Sequence, residues 1–406
     1  MEETNSGNRL FTATPLQPNS EEARRELLRV YDVLMKCSLC DLEYSLFGKK
    51  KPVCRSVVST IAFFIAIAVF IACASVTFLT QAQVLSYEWL ETNTMAFVCL
   101  NAIGSGVAIA YWTATDFFTK FYVALVSIRR QFPSRPSLPL LPPLNITVSL
   151  VFGAIALVHA LATSVKSVLE GYHQPNAIAN NSLALTPNSS NLYFILPVAY
   201  VFMTAVSLVA LTVFAQLNFL VKYELRRFNQ ELRELSEKGQ LAYALPSLGP
   251  RHSALVKLVC LLADNCGFYT SICTISLSLS SFNAIFILLS DVRHDMDSYT
   301  WILVTLWVII LPTMLMFILS PPATLQHKLL STSNILISDD SLTGDCKQMA
   351  LATAMITRVN VAPSKIIFFK AVPITQYTPH MVMLILPNLA SLLALVIRYY
   401  KLTLTC

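Results

Sequence analysis

The 406 residues predict an all-α membrane protein with seven transmembrane helices, the N-terminus cytoplasmic and the C-terminus extracellular. Three observations carry that expectation. Hydrophobic residues form 55% of the chain and charged residues only 13%, about half the charged share of a soluble domain. The apolar residues gather in runs long enough to cross about 30 Å of hydrocarbon. Lysine and arginine crowd into alternate loops. Seven spans of about 20 to 25 residues consume most of the length, so a large soluble or catalytic domain is excluded.

Taken in order, residues 1–55 form a polar cytoplasmic segment. It has no apolar core behind a basic start, so no cleavable signal peptide is expected and the first span serves as the targeting signal. Spans are expected near 56–80, 94–118, 141–165, 192–220, 258–290, 299–323 and 380–400. Spans 1–4 thus fill 56–220, a cytoplasmic extension occupies 221–257, and spans 5 and 6 occupy 258–323. Further cytoplasmic helices fill 324–379. Span 7 and a short external tail complete the chain at 380–406.

Basic residues assign the sides. Nine lie before span 1, four between spans 2 and 3, seven from Lys222 to Lys257, and five between spans 6 and 7. The opposite side holds only Lys166, Arg293, Arg398 and Lys401, which the positive-inside rule places outside. The sequons at Asn180 and Asn188 fall on that outer side and are expected to be glycosylated, whereas Asn145 lies at a cytoplasmic edge and should stay bare. This orientation is the reverse of a G-protein-coupled receptor, and no Asp-Arg-Tyr or Asn-Pro-x-x-Tyr motif is present.

Some helices are too long for the bilayer. His252 to Leu289 contains no proline, and as one helix it measures about 57 Å, nearly twice the hydrocarbon thickness. Span 4 runs on into a charged helix with apolar Tyr223, Leu225, Phe228, Leu232 and Leu235. Pro321 and Pro322 are expected to interrupt the helix after span 6. The segments 342–359 and 364–372 then read as cytoplasmic helices packed on the extensions of spans 4 and 5, because apolar faces outside the bilayer need partners. Helices 4–6 would thereby extend into one cytoplasmic helical layer.

Catalytic chemistry finds no support. The six histidines are dispersed, and no phosphate-cradling glycine loop or nucleophile motif occurs. Cys37 and Cys40 lack the second pair of ligands that a zinc site needs. Neither an enzyme, a cofactor, a metal nor a nucleic-acid partner is expected. The basic loops would meet membrane lipids, and the chain should be a multi-pass protein of the plasma membrane.

The start of span 5 carries a recognisable pattern: His252-Ser-Ala-Leu255, then Leu258, Leu261, Leu262, Asn265, Gly267 and Phe268. With seven spans, an internal N-terminus, a short external C-terminus and prolonged helices, the chain resembles the insect gustatory and odorant receptor superfamily, as a divergent gustatory-receptor-like protein. The family's second mark, Thr-Tyr, five apolar residues and Gln-Phe, corresponds to Ser391–Tyr399, where four signature positions are altered.

That resemblance implies a chemoreceptor-like ligand-gated ion channel: a homotetrameric non-selective cation channel whose one central pore is lined by span 7. The implied apolar constriction falls at Leu395 with Tyr399 nearby. Arg398 stands either as a polar ring at the pore mouth or as a side chain snorkelling to the headgroups. The implied pocket for an unknown small-molecule ligand lies among outer aromatic residues. Its candidates are Tyr193, Phe194, Tyr200, Phe282, Phe286, Trp301 and Trp307, with His159; an interfacial aromatic belt is the alternative for Tyr193 and Trp301. His252, Asp264 and Asn265 would contribute to subunit contacts. Acidic Glu88, Glu91, Glu170, Asp291, Asp295 and Asp297 on the outer side could concentrate cations. The alternatives are a seven-span transporter, disfavoured by the odd span count without matched halves, and a non-conducting membrane scaffold of the same fold.

Overall fold

The computed structural model describes residues 25–28, 30–40, 53–78, 85–131, 151, 153–165, 192–361, 367–368 and 372–405. Its helices are α1 (Val30–Cys37), α2 (Val53–Phe78), α3 (Tyr87–Ala114) and α4 (Phe117–Gln131), with α5 at Gly153–Val165. Then follow α6 (Leu192–Glu237), α7 (Leu241–Leu289), α8 (Ser298–Ile337), α9 (Cys346–Val361) and α10 (Thr378–Thr405). Five of these, α3, α6, α7, α8 and α10, are long and apolar enough to cross a membrane; Thr60–Ala72 within α2 and Gly153–Val165 are shorter apolar helices.

Local chemistry sets the helix ends. Ser86 Oγ accepts the Trp89 N–H at 3.2 Å and starts α3, and the Asp297 carboxylate accepts the Tyr299 and Thr300 N–H groups and starts α8. Between α6 and α7, Gly239 takes φ +64°, while Gln240 N–H reaches Leu235 O and Gly239 N–H reaches Ser236 O, both at 2.9 Å. This pair of bonds is a Schellman closure. It lets two very long helices fold back on each other with only three residues between them.

The expected prolongations are present: α6 has 46 residues, α7 has 49 and α8 has 40. Several expectations change. Pro321 and Pro322 do not end α8, which continues to Ile337; each proline removes one backbone hydrogen bond, but the helix remains packed along α6 and α7. In place of the helix expected over 364–372, the described residues there are strand: Ile367–Phe368 pairs antiparallel with Val372–Pro373 as strands β1 and β2. Its β-branched and aromatic run favours extended backbone over a short helix. Further, α7 starts eleven residues before His252 and passes through Pro246 and Pro250, and the polar loop after α3 is largely the helix α4. The helix α9 forms as expected, but it lies on α7 and α8 rather than on α6.

Helix α7 is the hub, packing against α3, α4, α6, α8, α9 and α10. At its middle, Tyr269 meets Trp112 of α3 and Phe214 of α6, each with ring centroids 5.4 Å apart, and the Trp112 indole N–H donates to Asn265 O at 3.0 Å. Close approach of α3 and α7 depends on Gly104: a Cβ built there would overlap the Ile272 Cγ2 methyl. Gly104→Val is expected to destabilise the protein by about 1–3 kcal/mol, read as a lower midpoint in detergent unfolding, with partial recovery on adding Ile272→Ala.

Candidate ligand site and pore helix

In the half of the molecule away from the charged helix ends, α5, α6 and α8 bring three of the expected pocket residues together. His159 is buried and its Nε2–H donates to Leu303 O at 3.1 Å, which fixes the tautomer. Its ring lies edge-on to buried Trp307, centroids 6.0 Å apart at 63°. The Tyr200 hydroxyl faces the same indole, with Glu91 and Cys99 of α3 in electrostatic range. Tyr299 secures α5 from the other side by donating its hydroxyl to Ala162 O at 3.0 Å. The result is a buried cluster of imidazole, phenol and indole in an apolar setting, side-chain types that small-molecule recognition uses.

The remaining pocket candidates separate. Phe282 and Phe286 stack in parallel on α7, centroids 6.3 Å apart. Trp301 is half exposed at the start of α8, where an interfacial anchor sits. Tyr193 and Phe194 lie on α6 at positions whose side chains are outside the described residues, as are Asn180 and Asn188.

The proposed pore helix has two unlike faces. Leu386 and Ala390 are buried and Val382, Ala394 and Ile397 pack against the core, following the helical repeat along one side. Opposite them, Leu392, Leu395 and Tyr399 are 59%, 64% and 67% exposed, with Arg398 exposed beside them. Only 11% of this span is buried within the chain, against 50–67% for the other four.

At the charged end, the three expected subunit-contact residues have different surroundings. His252 is fully buried inside its own chain, tilted against Phe228 of α6 at 5.8 Å, so no surface of it remains for a neighbouring copy. Asn265 is half-buried, its amide donating to Leu261 O. Asp264 is exposed. No motif announces the network around them. Arg251 pairs with Glu231 and stands over the Phe228 ring, while Asn229 donates to Lys328 O at 2.8 Å and accepts from Thr332 Oγ1 at 2.6 Å. Burial, with the Arg358 charge adding to it, pushes His252 down to about 4 from 6.5.

Two solved structures of the insect olfactory receptor OR5 from Machilis hrabei share this architecture. The one in complex with eugenol superposes with a TM-score of 0.64 at 10% identity, covering 93% of this chain and 100% of that one. The other gives 0.54 at 12% identity with the same coverage. At these identities the likeness is one of fold. The chain is a multi-pass helical membrane protein with the insect olfactory receptor fold. It belongs to the family described as Caenorhabditis protein of unknown function, DUF267, whose profile matches residues 27–390. No curated protein sequence matches it.

Proposed function

We propose that the protein is a chemoreceptor-like ligand-gated ion channel of the plasma membrane, gustatory-receptor-like in kind. In this reading it crosses the membrane seven times with its N-terminus inside. Four copies assemble around one non-selective cation pore lined by α10. The observation that carries the reading is the bare face of α10: a span this poorly covered by its own chain fits a place on the axis of an assembly. An apolar ring at Leu395 would gate by dewetting. The cluster of His159, Tyr200 and Trp307 supplies the wall of the ligand pocket, in the fold that holds eugenol in the Machilis hrabei receptor.

The test is electrical. Leu395→Glu is expected to give a constitutive cation leak in cells expressing the protein, since a charged ring stays wet. An unchanged baseline, with normal surface expression, would sink the pore assignment. In lipid nanodiscs the mass is expected to be that of four copies.

A further inference from the structure

Three cations converge where α6 and α8 leave the apolar region. Lys222 follows the apolar run of α6 directly, Arg226 lies one turn beyond, and Lys328 is the sole Lys, Arg, Asp or Glu in the whole of α8. The Asn229 to Lys328 bond sets the register, and side chains on a helix lean toward its N-terminus, so Lys328 rises toward Arg226 and Lys222. Both Lys328 and Arg226 are close enough to repel Lys222, and these repulsions add to burial in pushing its ammonium below the usual lysine range.

Among the described residues, no acid pairs with these cations. Helix α8 contains neither aspartate nor glutamate. The nearest acids along α6 are taken, Glu224 by Arg129 at 2.7 Å and Glu231 by Arg251. Among the described residues, none of the three cations has an ion-pair partner. Depth adds the direction. The headgroup layer is about 5–7 Å thick on each side of the hydrocarbon. Arg226 lies about 6 Å beyond Lys222, so the trio spans that layer.

We propose that Lys222, Arg226 and Lys328 form a binding site for the phosphate of an anionic phospholipid headgroup, seated between α6 and α8. The site goes beyond the channel reading and stands without it. Its ligand is a phosphate carried by a lipid, with the acyl chains lying along the apolar parts of the two helices.

Full-length protein in phosphatidylcholine nanodiscs containing a minor fraction of phosphatidic acid provides the test, with retained lipid counted by native mass spectrometry. Each single change, Lys222→Gln, Arg226→Gln or Lys328→Gln, should weaken retention about fivefold, and the triple variant about a hundredfold. The exposed pair Lys238→Gln and Lys257→Gln is expected to leave retention unchanged. In pure phosphatidylcholine, Lys222→Gln should raise the thermal midpoint by relieving repulsion; with phosphatidic acid it should lower it. Equal retention by the wild type and the triple variant would overturn the site, as would no reversal in sign. Equal stabilisation by soluble glycerol phosphate in phosphatidylcholine discs would overturn the lipid as the source.

Discussion

Arg129→Met is expected to destabilise the protein by about 3 kcal/mol, at the lower end for one half of a buried pair. The partner left behind is Glu224, whose side chain is 2% exposed and whose carboxylate meets Arg129 Nε at 2.7 Å. Arg129 itself is 22% exposed, so some water reaches the pair and moderates the loss. Adding Glu224→Leu should recover most of the loss, because two apolar groups of similar volume tolerate the site. Denaturant titration in mixed micelles reads both changes. Failure of the second change to recover stability would mean that the pair is held for another reason than mutual neutralisation.

The second large effect depends on pH. His252 is neutral in the folded chain at neutral pH and titrates there near 4, against 6.5 when unfolded. Between these values the unfolded state binds more protons, so stability falls as pH drops from 6.5 and the loss is complete near 4. Its full size is about 3 kcal/mol. The imidazole packs on Phe228 and lies near the Arg358 cation, with the Arg251–Glu231 pair beside it. Neither ring nitrogen finds a hydrogen-bond partner among the described residues, so nothing holds the protonated form. His252→Phe should remove this component of the pH slope, seen as a smaller drop in thermal midpoint between pH 7 and pH 5 than in the wild type.

Much of the architecture is legible along the chain. The proline-free run from His252 to Leu289 announces a helix longer than a bilayer, and its length alone requires a partner layer beyond the membrane. Trp307, Tyr200 and His159 can be gathered from the sequence because each is a large or polar side chain in the same half of a different span. What is not legible depends on contacts distant in sequence. Leu303 offers His159 a carbonyl, which no residue type can advertise. Phe228 covers His252, turning a signature position into a core residue. Pro321 and Pro322 break a local rule that packing along α6 and α7 overrides, and Ile367–Phe368 is too short a run for periodicity to decide between helix and strand.

The lengths of α6, α7 and α8 also have a mechanical consequence. A helix of 49 residues is a rod of about 73 Å, so tilting it by about 5° around a point in mid-membrane moves an arm of about 40 Å by roughly 3.5 Å at its tip. From Arg251 to Leu289, α7 contains no proline and acts as a stiff lever. Its neighbour α8 carries Pro312, Pro321 and Pro322, none of which can donate a backbone hydrogen bond. Asn229 of α6 is bonded to Lys328 and Thr332 of α8 beyond these prolines, so bending of α8 at them would be felt as sliding at those contacts.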